Sequence, residues 1–202
     1  MTEWEKMCQG FVFDDSDGSI DIRRDHATRT LQAFNQSVET ATRKQLLNTL
    51  LRTIGEGSVI QPPFHCEFGE TIQVGSNTLI NMNVTMLDGA PITIGDHVLI
   101  GPNTQFYTPT HSLDYQSRRA WETWCQPIVV EDDVWIGGNV VICQGVTIGA
   151  RSVIAANAVV KHDVPPDSLY GGTPARHIKA LSSKQEARAN STSQYCANER
   201  EE

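Results

Sequence analysis

From Val130 to Val160 an apolar residue stands at every sixth position: Val130, Ile136, Ile142, Ile148, Ile154 and Val160. A helix repeats its apolar residues near every 3.6 positions and a half-buried strand every second one. A period of six matches neither. It suits a short strand followed by a turn, with the first residue pointing inward each time. The small residue after it (Gly137, Cys143, Gly149, Ala155) leaves room at the bend. The fifth position (Val134, Val140, Val146, Ser152, Ala158) supplies a second inward side chain. A unit this short cannot bury its own apolar face, so successive copies must stack. Three such sides close a triangular coil of eighteen residues, and coils stack at the parallel-strand spacing of about 4.8 Å. The pattern predicts a β-solenoid, because the strands of a sandwich do not hold one register for so long.

The same phase starts at Val74 and Ile80, slips after Met86 across "LDGAP", and resumes at Ile94, Ile100 and Phe106. The stretch "YTPTHSLDYQSRRAWETWCQP" then interrupts it. Residues 1–55 read as an N-terminal helical segment capping the solenoid: Leu31, Phe34 and Val38, then Leu46, Leu47, Leu50 and Leu51, fall at helical spacing, with a break expected near Thr40, Arg43 and Lys44. Residues 56–180 form the solenoid with its protruding loop, closed by the turn-rich "PPDSLYGGTPARHIKA". Residues 181–202 are polar and are expected to be a disordered tail.

The 202 residues allow one domain with appendages. A formal net charge of −8 argues against a general nucleic-acid binder, while leaving room for a small anion held by local cations. No apolar run is long enough to cross a bilayer and the N-terminus lacks a signal-peptide core, so no membrane association is expected. Cys8, Cys66, Cys125, Cys143 and Cys196 are scattered without a CxxC pair. They read as free thiols in a reducing compartment, which points to the cytoplasm.

Among six histidines, His111 differs in following "YTPT" where the solenoid pattern stops, at the mouth of the long insertion. Loops held by rigid scaffolds often carry function, and an imidazole with pKa near 6.5 can take and return a proton. Asn81 in "INMN" is either a side-chain ladder residue or a site residue. Lys161, His162, Arg176, His177 and Lys179 gather at the C-terminal end of an acidic chain, as a solvated edge or as an anion site. A zinc hydrase would need about three converging histidines, and His65, His97 and His111 do not share one phase.

"EWEKMCQGFVFD", "RRDHATRTLQAFNQS", "IQPPFHCEFGETIQVG", "NMNVTMLDGAPITIGD", "TPTHSL", "VWIGGNVVI" and "DVPPDSLYGGTPAR" stand in the order and spacing of the maltose and galactoside O-acetyltransferases. The chain resembles that family from Trp4 to about Lys179. The resemblance implies a left-handed parallel β-helix, where the usual rule for parallel crossovers would give a right-handed one. It implies transfer of acetyl from acetyl-coenzyme A to a hydroxyl of a sugar, polyol or similar small acceptor, without a metal, in a homotrimer with sites between subunits. By the same resemblance His111 is the general base, while Asn81 and the Gly138 backbone N–H hold the developing oxyanion. Asp15, Glu67 and Asp88 match or neighbour acceptor-binding positions, where each carboxylate can accept two hydroxyl hydrogen bonds. Arg176 and Lys179 meet coenzyme A phosphates, Lys161 and His162 lie along the cofactor groove, and Trp135 and Ala156 line the pantetheine arm.

Three departures accompany the match. Glu67 replaces a serine of the galactoside enzymes, Gly89 replaces a second acid, and "KH" at 161–162 replaces "TK". No serine or cysteine nucleophile motif occurs, which favours direct transfer in a ternary complex. Transfer to a non-sugar alcohol or amine, and a non-catalytic trimeric sugar-binding scaffold, are the alternatives. Retention of His111, Asn81 and the basic end argues against the scaffold.

Overall fold

The computed structural model describes residues 1–182, and from Thr53 onward the chain winds as a β-solenoid with three parallel sheets for walls. The first wall stacks Thr53–Ile54, Ile72–Val74, Ile92–Ile94, Ile128–Val130 and Thr147–Ile148. The second stacks Val59–Ile60, Leu79–Ile80, Leu99–Ile100, Trp135–Ile136, Val153–Ile154 and Ser168–Gly171. The third stacks Phe64–Cys66, Val84–Leu87, Gln105–Tyr107, Val141–Ile142 and Val159–Val160. Arg176–Ala180 folds back antiparallel on Ser168–Gly171 and closes the second wall. The expected tail lies, from residue 183 on, outside the described residues.

Every hexad leader from Val130 to Val160 is buried, as are Val134, Val140, Val146, Ser152 and Ala158 at the fifth position. Polar residues at that inward position are satisfied by the neighbouring coil. Ser152 donates to the Pro165 carbonyl (2.8 Å) and Thr78 to that of Gly95 (2.9 Å). At the bends, backbone lies on backbone: a Cβ on Gly137 would meet the Ala156 nitrogen at 2.6 Å. Each coil also needs a residue in the left-handed region, and Asn83, Asn103, Asn139 and Asn157 (φ 57° to 63°) stack along one corner in that conformation. Asparagine tolerates this conformation better than most residues, so the sequence punctuates its coils with it.

The expected eighteen-residue coil holds from Val129 on, and the earlier coils are longer. Val141 pairs with Val159, eighteen residues on, but Thr85 pairs with Gln105, twenty on. The extra residues enter after Cys66 and after Met86, and the long insertion enters after Phe106, all at the corner between the third and first walls. The solenoid also begins earlier than Val74. Ile54, Ile60 and Cys66 hold the hexad phase in a first coil, where Thr53 pairs with Gln73 and Phe64 with Val84.

Three helices precede the coils: α1 (Glu3–Cys8), α2 (Gly18–Gln36) and α3 (Thr40–Leu50). Leu31, Phe34, Leu47, Leu50 and Leu51 join the solenoid core, but Val38 is exposed because the chain leaves the helix at Ser37–Glu39. Asn35 closes an open sheet edge: its Nδ2 donates to the Phe64 carbonyl and its Oδ1 accepts from the Phe64 N–H, both 2.9 Å. α1 packs separately, with Met7 beside Phe13, Ile20, Phe68, Ala90 and Cys125.

Gly137→Ala should lower stability by about 1–3 kcal/mol, because the coils must part to admit the methyl. Gly18→Ala meets nothing within 4 Å and should leave the urea midpoint nearly unchanged. Equal midpoints for the two variants would contradict the stacking constraint.

Candidate active site

The insertion after Phe106 folds as a hairpin. Pro109–His111 pairs antiparallel with Thr123–Cys125, bringing His111 opposite Thr123, and a short helix α4 (Tyr115–Arg119) crosses its tip. His111 Nδ1 lies 3.3 Å from the Glu122 carbonyl oxygen. A carbonyl only accepts, so that contact puts the proton on Nδ1 and leaves the Nε2 lone pair free, the tautomer a general base needs. His111 edges a cleft of about 620 Å³ that Asp15 and Glu67 also line. Met7, Phe13, Trp121 and Cys125 give the same cleft apolar surface, and Gly89 lies on its floor with no room for a Cβ, which would meet Cys125 Sγ at 2.5 Å.

One guanidinium joins the acids. Arg24 bonds Glu67 (3.0 and 3.2 Å), Asp15 (2.7 Å) and Asp21 (2.8 Å). Burial pushes the Glu67 carboxyl above its ordinary range, and the Arg24 bond pulls the other way. Arg24 was not among the expected site residues. Its signal in the sequence was a cation inside "RRDHATRT", close after the acids of "FDDSD".

Asn81 does not line this cleft. It lies at the corner between the second and third walls, where its Oδ1 accepts from the Met82 N–H (2.8 Å). Gly138 and Ala156 stack along the same corner: Asn139 N–H donates to the Pro102 carbonyl and Asn157 N–H to that of Gly138. Neither the Gly138 nor the Ala156 N–H has an acceptor among the described residues. Trp135 is exposed on the second wall, and Arg176 and Lys179 are exposed on its closing strand with no carboxylate partner among the described residues. Lys161 and His162 follow Val160 at the other corner, apart from these.

Residues 127–162 match the bacterial transferase hexapeptide family (six repeats), and residues 6–55 match the maltose acetyltransferase hexapeptide capping motif. The galactoside O-acetyltransferase of Escherichia coli K12 is 34% identical over 182 residues, spanning 89% of this chain and 90% of that protein. The chain belongs to the maltose and galactoside O-acetyltransferase family. A hexapeptide-repeat-containing acetyltransferase from Vibrio cholerae, solved with acetyl-coenzyme A, is 63% identical with a TM-score of 0.87, covering 90% of this chain and 100% of that one. A maltose O-acetyltransferase from Clostridium difficile 630 is 35% identical with a TM-score of 0.89, covering 90% and 98%. The protein is therefore an acetyl-coenzyme A-dependent acetyltransferase of this type.

Within the acetyltransferase, Asp88 does not present a carboxylate to the cleft. It is fully buried, and its two oxygens accept from the N–H groups of Glu67 (2.8 Å), Phe68 (2.9 Å) and Gly69 (2.7 Å) and from the Thr71 hydroxyl (2.6 Å). Four donors fill the lone pairs of a carboxylate. Burial still pushes the group above its usual range, against the pull of those bonds. Asp88 thus fastens the corner that carries Glu67. Burial also raises the thiols: Cys8 to about 11, Cys125 to about 12, and Cys66 well above its ordinary value. They are poor nucleophiles at neutral pH.

Asp88→Asn should cost the acetyltransferase about 1–3 kcal/mol in urea unfolding, since an amide must turn a donor toward donors. An unchanged unfolding midpoint would show that the four bonds do not hold this corner.

Proposed function

We propose that the chain O-acetylates a sugar or similar small polyol by direct transfer from acetyl-coenzyme A, with His111 as general base. The contact that carries this reading is His111 Nδ1 on the Glu122 carbonyl at the rim of a cleft shared with Asp15 and Glu67. His111 Nε2 takes the proton of an acceptor hydroxyl, and that oxygen attacks the thioester carbonyl carbon. The tetrahedral intermediate collapses with cleavage of the C–S bond. The departing thiolate takes the proton from the imidazolium, which regenerates the base and gives free coenzyme A thiol. The raised thiols support direct transfer over an acylated cysteine.

The donor runs along the corner of Asn81, Gly138 and Ala156. The free Gly138 N–H and the Asn81 amide stabilise the oxyanion, and the exposed Trp135 packs on the pantetheine arm. Arg176 and Lys179 take the phosphates, Arg through paired N–H bonds and Lys as a point charge. Base and oxyanion donors lie at different corners of one prism, so a complete site joins two chains. Closed threefold packing of three prisms supplies that arrangement. Leu113 (97% exposed), Tyr115 and Trp121 (78%) at the hairpin tip offer the apolar surface that would reach the neighbour. Lys161 and His162, at the other corner, would then meet the donor held by a neighbouring chain.

His111→Ala should lower turnover about a hundred- to ten-thousand-fold with the fold intact, measured by free-thiol release across a panel of acceptors. Near-normal turnover would remove His111 from the role of base.

A further inference from the structure

The acceptor cleft is acidic, whereas the donor edge is neutral along its length and meets cations at one end. Asp14, Asp15, Asp21 and Glu67 line the cleft, against one cation, Arg24. Arg24 is not free to greet an anion. Its Nε and Nη2 bond Glu67, Nη2 also bonds Asp15, and Nη1 bonds Asp21. The corner that would face this cleft from a second chain adds no charge: Gln61, Met82, Asn83, Pro102, Asn103 and Asn139 are all neutral. Cations appear only at the far end of that edge, with Arg176. The site itself stands on the cleft and His111, and the carboxylates decide what enters it.

We propose that this cleft selects acceptors by charge, admitting neutral and ammonium-bearing sugars or amino alcohols and excluding carboxylated or phosphorylated ones. The inference rests on the proposed acetyl transfer to a small polyol and names its substrate class. A net-negative, partly enclosed cleft raises the local concentration of a cation and opposes an anion. An amine held among these carboxylates stays protonated, because nearby opposite charge favours its charged form. A protonated amine has no lone pair to attack a thioester, so acetyl goes to a hydroxyl oxygen. The same field repels the coenzyme A phosphates and leaves the donor to the Arg176 end, which keeps the two substrates from exchanging places.

Three methyl glycosides sharing a glucose ring test this: the neutral glucoside, the glucosaminide with its ammonium, and the glucuronide with its carboxylate. Each is assayed by thiol release with the full chain. At low ionic strength the glucuronide should fall about tenfold or more below the glucoside in kcat/KM, with the glucosaminide at or above it. Salt should narrow the gap, and the glucosaminide product should be O-acetylated. Glu67→Gln should shrink the ratio of glucosaminide to glucuronide. Asp21→Asn, whose carboxylate bonds Arg24, gives the same readout if Glu67→Gln does not fold. A glucuronide turned over as well as the glucoside, a gap that salt leaves unmoved, or an N-acetylated product overturns the proposal. If none of the three is acetylated, the reading of a sugar acceptor fails separately. Binding of the same glycosides to the coenzyme A complex, followed by saturation-transfer NMR, then decides the charge claim: preference for the ammonium supports it, and equal, reversed or absent binding overturns it.

Discussion

Each coil of this solenoid must lay its backbone on the backbone of the coil before it. Hydrogen bonds along three parallel walls enforce that, as in Gly101 N–H to the Ile136 carbonyl and Gly137 N–H to that of Ile154, both 2.8 Å. The same contact leaves no room for a side chain at Gly137, and it repeats a left-handed residue at matching points of successive coils. Apolar leaders, small residues at bends and asparagines at corners are thus three consequences of one stacking rule.

A structure that repeats so strictly can gather unlike side chains into a cleft only where it departs from the rule. Here the departures collect at one corner. The extra residues after Cys66 carry Glu67 to Thr71, those after Met86 carry Asp88 to Pro91, and the insertion after Phe106 carries His111. Because the coils are stacked, these segments lie above one another. Asp88 can therefore bind the backbone of Glu67, Phe68 and Gly69 across neighbouring coils. The helices complete the enclosure, with Arg24 of α2 reaching the acids of the loop and of the corner. The corner between the second and third walls stays regular, leaving a neutral edge where the Gly138 and Ala156 N–H groups have no acceptor among the described residues.

The architecture was legible because its period is local: a few successive hexads suffice to see it. The hexad phase of the first coil escaped, although Ile54, Ile60 and Cys66 carry it, because this coil follows directly on the leucines of α3 and because spacing to the next coil is not six. Val38 fitted a helical stripe but sits where the helix has ended. At the site, His111 could be found from its place at the break in the pattern. The position of Asp88 could not, since an acid next to a glycine reads the same whether it faces a cleft or fastens a corner. Arg24 needed the long-range meeting of a helix with two loops. Handedness came from family resemblance, because periodicity alone is silent on it.

In the proposed assembly the base corner of one chain works with the oxyanion corner of another. Mixing His111→Ala chains with Asn81→Ala chains, after unfolding and reassembly together, tests it directly. Each variant alone is expected to be nearly inactive. In a random one-to-one assembly about a quarter of the intersubunit sites pair an intact His111 with an intact Asn81, so turnover should recover toward about a quarter of wild type. Mixed assemblies confirmed by native mass spectrometry but showing no recovery would contradict it.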